Sequence, residues 1–179
     1  GLIKINNQEE EFNSPYDAIK KHIGIVFQEF SLIPDLSVAD NIYFNHAKNN
    51  SLGVISSNEL RKSCFDLFNK MEIDPINPDF LVMELSLAQR QIIEIAKVIS
   101  RGPRIIVLDE ATSAIGREQT EWLMNFSRKQ AEQGRLIIFI SHRLSEILTV
   151  SDNVTVFRNG KNVGTRSKKN AKVNELVRL

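Results

Sequence analysis

The chain has 179 residues, 42% hydrophobic and 25% charged, which suits one domain, or one domain with a sub-lobe, around a packed core. A formal net charge of +1 gives no electrostatic basis for binding nucleic acid, and the single cysteine, Cys64, excludes an internal disulfide framework and suits a reducing compartment. The longest apolar runs, such as LIIFI (Leu136 to Ile140), are too short to span a bilayer, so a soluble domain is expected.

Gly1 is followed at once by LIKINNQEEEF, which reads as a strand and turn already under way, so the chain is expected to begin inside a domain. Ser14-Pro15 places a cap and then a proline at a first helical turn, predicting a short helix over PYDAIKKHI. IGIVFQ, from Ile23 to Gln28, is a short apolar run that reads as a buried strand. A helix-rich stretch follows. SVADNIYF starts at Ser37 with an acidic first turn, and SSNELRKSCFDLFNKM pairs Ser56 with Glu59 at the capping-box spacing, placing Cys64 in a helix core. INPDFLVMEL is a connection interrupted by proline, after which Ser86 and Gln89 repeat the capping-box spacing at the head of a helix running to Ser100.

The rhythm then changes. RIIVLDE (Arg104 to Glu110) and RLIIFISH (Arg135 to His142) are continuous apolar strands ending in polar residues. Between them REQTEWLMNFSRKQAEQ is an amphipathic helix stopped by Gly134, so the three form a strand-helix-strand crossover in a covered parallel sheet. Asn159-Gly160 between two strand-like runs signals a hairpin, and KVNELVRL is expected to close the chain as a helix. The expected architecture is α/β, with a mostly parallel sheet and a helical insertion of roughly 60–70 residues between the first and second core strands.

In open α/β sheets ligands sit beyond the carboxyl ends of the strands. Gln28, the pair Asp109-Glu110, and His142 each stand at such an end. Each alone has a plain alternative: a loop glutamine, helix-capping carboxylates, or a structural histidine. Together they suggest phosphoryl transfer. An aspartate ending an apolar strand can hold magnesium, a neighbouring glutamate can orient or deprotonate a water, and a histidine can meet a terminal phosphate. The helix opening at Ser86 offers free backbone N–H groups and a positive dipole end to an anion, although Ser86 is equally well explained as a cap and nothing more.

In this order and spacing, these segments resemble the nucleotide-binding subunit of ATP-binding cassette (ABC) transporters over nearly the whole chain. GIVFQEFSLIPDLSVADNIYF resembles the family's glutamine loop, and LSLAQRQIIEIAKVIS its signature, usually Leu-Ser-Gly-Gly-Gln, with the helix that follows. RIIVLDEATSAI resembles the Walker B strand, catalytic glutamate and D-loop, and FISH the switch-histidine loop. The wording LSLAQ, with ISHRLSEI and SDNVTVFRNGKNVGT, is similar to the first cassette of bacterial importers for ribose, galactose, xylose and related monosaccharides.

The resemblance implies a P-loop NTPase core of the ABC type with a helical subdomain. Residues 1–28 and 101–179 would form the core lobe and about 29–100 the helical and signature subdomain. It implies ATP and Mg2+, with Glu110 as general base, His142 as γ-phosphate switch, Asp109 supporting the metal, and Gln28 contacting metal or water. Ser86 and the backbone of Leu87, Ala88 and Gln89 would meet the γ-phosphate of ATP held by an opposite cassette. Implied partners are that second cassette, packed head to tail, transmembrane permease subunits and, indirectly, a solute-binding protein, but no nucleic acid. The implied place is the cytoplasmic face of the membrane, as a peripheral subunit. Two alternatives stay open: a soluble cassette serving translation or DNA repair, and a catalytically inactive cassette that only binds or dimerises.

The sequence departs from the family pattern at four points. Leu87 and Ala88 stand for glycines, Gly116 for an aspartate, and Ala111 for a proline. The fourth is the phosphate loop: the one Gly-Lys pair, Gly160-Lys161, sits in the predicted hairpin rather than before a helix. The expectation is N-terminal truncation, with strand, phosphate loop and helix upstream. Apolar sheet surface should then be bare, and the chain alone should aggregate or dimerise and hydrolyse no ATP.

Overall fold

The computed structural model describes residues 2–43 and 56–170. The helix expected over 172–179, and Phe44 at the end of SVADNIYF, lie outside them.

Strands β1 (Ile3–Ile5) and β2 (Gln8–Glu10) form an antiparallel hairpin turned by Asn6 and Asn7, with φ of 51° and 65°. Two consecutive left-handed residues make the turn whose twist matches its strands, and asparagine tolerates that region. Helix α1 (Pro15–Lys20) starts as expected, with the Asp17 N–H donating to the Ser14 hydroxyl. Strand β3 (Ile23–Val26) follows, then α2 (Val38–Tyr43), whose Ser37 hydroxyl accepts the Asp40 N–H at 3.1 Å.

Helix α3 (Ser57–Met71) differs from expectation at its start. Ser56 has the backbone of a cap, but its side chain makes no capping hydrogen bond. Both Ser56 and Glu59 are exposed, so water can serve the first N–H groups and the reciprocal pair is not needed. Helix α4 (Leu87–Ile99) does form the predicted box. The Ser86 hydroxyl accepts the Gln89 N–H, and Gln89 Oε1 accepts the Ser86 N–H at 3.0 Å.

The helices α2, α3 and α4 pack on one another around Ile42, Phe68, Met71 and Ile93, all at most 1% exposed. Burial here pushes the Cys64 thiol up to about 12, so this cysteine is an uncharged core residue, as its place in the sequence predicts. The C-terminal half of α4 leaves this group and lies on β3. A Cβ added at Gly24 would fall 2.5 Å from the Val98 side chain, so glycine is what permits the close approach of helix and strand.

Strand β4 (Ile105–Asp109), helix α5 (Arg117–Glu132) and strand β5 (Leu136–Ile140) make the predicted crossover, with Gly134 at φ 86° just past the helix. The three core strands are parallel in the order β3-β4-β5. Val26 pairs Leu108, Leu108 pairs Phe139, and Asp109 pairs Ile140, so their carboxyl ends share one edge. Strand β4 is the covered centre, with Ile106 and Leu108 each 2% exposed. Strand β5 is covered on one face only: Leu136, Ile138 and Ile140 are 55%, 44% and 46% exposed. A strand expected to be covered on both faces thus has one face exposed among the described residues.

Helix α6 (Leu144–Val150) leads to an antiparallel hairpin of β6 (Asn153–Arg158) and β7 (Lys161–Ser167), turned by Asn159 and Gly160 at φ 51° and 73°. The hairpin signal is thus borne out, and the Gly-Lys pair sits at its turn. No helix among the described residues is long and apolar enough to cross a membrane.

Candidate functional site

The site is assembled by the shared edge of three strands. Counting from the rung Val26-Leu108-Phe139, Gln28 and Glu110 stand two positions on, and His142 three. Neighbouring strands run about 4.8 Å apart, so this register sets the carboxyl ends of the three strands side by side, with these residues in the segments that leave them. Gln28 and His142 are exposed, Asp109 and Glu110 half-buried.

Glu110 is held in a conformation that glutamate seldom adopts. Its φ is 49°, fixed by its N–H donating to the Ile140 carbonyl at 3.0 Å and its own carbonyl accepting the Ser113 N–H at 2.9 Å. Left-handed backbone at a non-glycine residue costs about 1–2 kcal/mol and persists only where its surroundings enforce it. The bond to Ile140 is the last rung of the β4–β5 ladder, and the Ser113 bond closes a turn directly after it, so the chain reverses at Glu110. Glu110 Oε1 lies 2.9 Å from His142 Nδ1. With Nδ1 turned to the carboxylate, the other ring nitrogen, Nε2, is directed away from Glu110.

A second carboxylate, which sequence reasoning passed over, braces this corner. Glu146 in the first turn of α6 accepts the Thr112 hydroxyl at 2.8 Å, the Ser141 hydroxyl at 3.2 Å and the Arg143 guanidinium at 3.1 Å. It ties the turn after Glu110 to the turn containing His142. In sequence Glu146 is only an acid in the first turn of a helix, and its partner Thr112 lies 34 residues away, so no local signal marks it.

Magnesium prefers one or two carboxylates and otherwise takes water and phosphate oxygens. Among the described residues no group of three His, Cys, Asp or Glu could hold a metal alone, and Asp109 makes no ion pair. A single uncommitted carboxylate at the strand edge fits a metal whose other ligands come from a phosphate substrate.

The tip of α4 stands apart from this corner. Val98 meets β3 near its start and Glu94 meets the segment beyond its end, so α4 runs antiparallel to β3 with Ser86 outermost. Eight residues of helix put Ser86 about 12 Å past Glu94 along the axis. Ser86 and Leu87 are exposed, Ala88 and Gln89 half-buried. The tip is stiff: Arg90 donates to the Val82 and Met83 carbonyls, and Glu84 accepts the Leu81 N–H at 2.8 Å. The structure therefore joins Glu110 to His142, sets Gln28 and Asp109 on the same edge, and leaves the Ser86 group projecting from the fold.

Comparison with known proteins follows the same lines. The ABC transporter family profile matches residues 1–113. The chain is 39% identical over 181 residues to a ribose import ATP-binding protein, RbsA 1, of Burkholderia thailandensis, covering 100% of this chain and 35% of that protein. It is 41% identical over 163 residues to the protein of the same name from Rhizobium etli, covering 91% of this chain and 32% of that one. The chain thus spans about a third of the length of the curated relatives it matches. A dimeric ATP-binding cassette, MJ0796, in a post-hydrolysis state bound to ADP and Pi, superposes with a TM-score of 0.78 at 22% identity, covering 94% of this chain and 73% of that one. The family match over most of the chain and the structural superposition agree: this chain belongs to the ABC transporter family and has the fold of its ATP-binding cassettes.

Proposed function

We propose that the chain works, within a longer polypeptide of the kind its relatives represent, as part of the ATP-hydrolysing subunit of an importer for monosaccharides. The observation that carries the reading is the 2.9 Å contact between Glu110 and His142 at the carboxyl edge of two adjacent parallel strands. Glu110 accepts a proton from the attacking water, which its left-handed backbone aims beyond the strand ends. His142, oriented by its Nδ1 contact, presents Nε2 to the terminal phosphate. Gln28 orients water or metal from the β3 side, and Asp109 would hold Mg2+, which when bound offsets phosphate charge.

Ser86 and the backbone at Leu87, Ala88 and Gln89 serve an ATP held by a second cassette. The support is their position: a capped helix start, exposed, and roughly a dozen ångströms beyond the segment that carries Gln28. Monosaccharide as cargo takes its support from the names of the ribose import relatives, while association with permease subunits at the cytoplasmic face of the membrane is what an importer role would require.

The test is a pair of assays on the full-length protein carrying this chain, reconstituted with its permease. Magnesium-dependent ATP turnover should accompany uptake of radiolabelled ribose or galactose and should vanish with Glu110→Gln. Turnover that needs no permease and responds instead to ribosomes or DNA would replace importer with the soluble-cassette reading. No turnover in the wild-type protein would leave only a binding module.

A further inference from the structure

Glu94 is a charged residue in the wrong place for a simple amphipathic helix. It stands between Ile93 and Ile95 in the buried stripe of α4 and is 2% exposed. A carboxylate buried to that degree needs donors at hand. It takes two from a single residue: the Ser31 hydroxyl donates to Oε1 at 2.5 Å and the Ser31 N–H to Oε2 at 3.2 Å. Lys97, on the next turn of α4, donates Nζ to the Ser31 carbonyl at 2.9 Å and to its hydroxyl at 3.0 Å. The serine hydroxyl thus gives its one proton to Glu94 and accepts one from Lys97. All three polar atoms of Ser31 are held by one helix.

Ser31 lies three residues beyond Gln28, in the stretch that leaves the sheet for α2. Stability alone does not account for the arrangement, because a buried charge, even one well supplied with hydrogen bonds, is often no better than an apolar side chain of like size. What a carboxylate supplies is register: it bonds one residue in one position, where packing would accept several. Gln91 adds an independent sign. It sits three residues before Glu94, on the same helix face and one turn nearer Ser86. It is 1% exposed, and both polar atoms of its side chain lack partners among the described residues. An orphaned amide there is a second polar seat beside the first, left unfilled in this arrangement.

We propose that Glu94, together with Lys97, is a positioning residue: through Ser31 it fixes the Gln28 segment to the helix whose tip carries Ser86, so that the two move as one body. The proposal rests on the role given to Gln28 above, but the attachment itself can be measured without it.

The experiment uses the full-length protein with Glu94→Gln, Ser31→Ala, Ser31→Thr and the Ser31→Ala/Glu94→Gln double variant. Hydrogen exchange over residues 27–33 should quicken about tenfold in the first two and return toward wild type in Ser31→Thr, with α3 unchanged. ATP turnover should fall about tenfold in kcat with KM for ATP within twofold, and the double variant should be no worse than either single one. Unchanged exchange over 27–33 would overturn the attachment, as would equal quickening in α3, which would mark general destabilisation. Losses that add in the double variant would also overturn it. A wild-type protein without ATPase activity would instead end the reading of Gln28, while the exchange data would still decide whether Glu94 holds the segment.

Discussion

Strands β4 and β5 are adjacent, parallel, five residues each and apolar almost throughout, yet they live in different surroundings. Ile106 and Leu108 of β4 are 2% exposed, whereas Leu136, Ile138 and Ile140 of β5 are about half exposed. The apolar run records what a strand can bury; what covers it is decided elsewhere in the molecule. Strand β4 is flanked on both sides in the sheet, while β5 is an edge among the described residues. The two strand ends, by contrast, are equally organised, since Glu110 and His142 meet across the gap. Two side chains can be held in contact at the rim of a sheet whose outer flank is exposed.

The largest effect should come from separating those ends. In the full-length protein, Glu110→Gln keeps size and shape but removes the proposed proton acceptor, and should lower kcat on the order of 10³-fold. His142→Ala removes the group proposed to contact phosphate without taking the proton, and should cost nearer 10²-fold. Steady-state ATPase assays with KM within a fewfold of wild type would sharpen the contrast. Equal losses would break it and assign the two residues to one proton-transferring unit.

Stability should divide the strands next. Ile106→Ala empties space in a covered strand and should destabilise by about 2–5 kcal/mol. Ile138→Ala, on the bare face, should change urea unfolding by less than about 0.5 kcal/mol. Ile138→Lys should raise soluble yield without moving the midpoint, because the exposed apolar edge is where copies would stick. A large loss at Ile138 would mean that something covers β5 in solution.

A smaller effect tests why the covered side of the sheet is covered. Gly24→Ala puts a methyl 2.5 Å from Val98, and with Pro103 also within 3.2 Å the helix must shift; the expected loss is about 2 kcal/mol. Val98→Ala in the same chain should recover part of it, a coupling visible in a double-mutant cycle.

Much of this was legible in the sequence because local chemistry decided it. Asn159-Gly160 fixed a hairpin, Ser86 with Gln89 fixed a helix start, and the polar residues ending IIVL and LIIFIS fell at one edge once the strands were parallel. What stayed hidden depended on distant partners. Ser56 and Glu59 have the spacing of a capping box, but exposure removes the need for it. Glu94 reads as one charge on a helix until Ser31, 63 residues away, is placed beside it. Glu146 is an ordinary helix-start acid until Thr112 and Ser141 converge on it.

The smallest effect is also the one that sets stability against function at a single residue. Glu110 sits at φ 49°, where a glutamate is strained by about 1–2 kcal/mol and a glycine is not. Glycine also frees the unfolded chain, which takes back about 0.5–1 kcal/mol. The difference predicts that Glu110→Gly stabilises the fold slightly, by about 0.5 kcal/mol, although it deletes a half-buried contact with His142. No comparable strain exists at the end of β5, where neither Ser141 nor His142 has positive φ, so His142→Gly should destabilise instead. Opposite signs from the same substitution at neighbouring strand ends would show that the backbone of Glu110 is held against its preference in order to aim the carboxylate. Urea midpoints that fall for both would show that the 2.9 Å contact outweighs the strain.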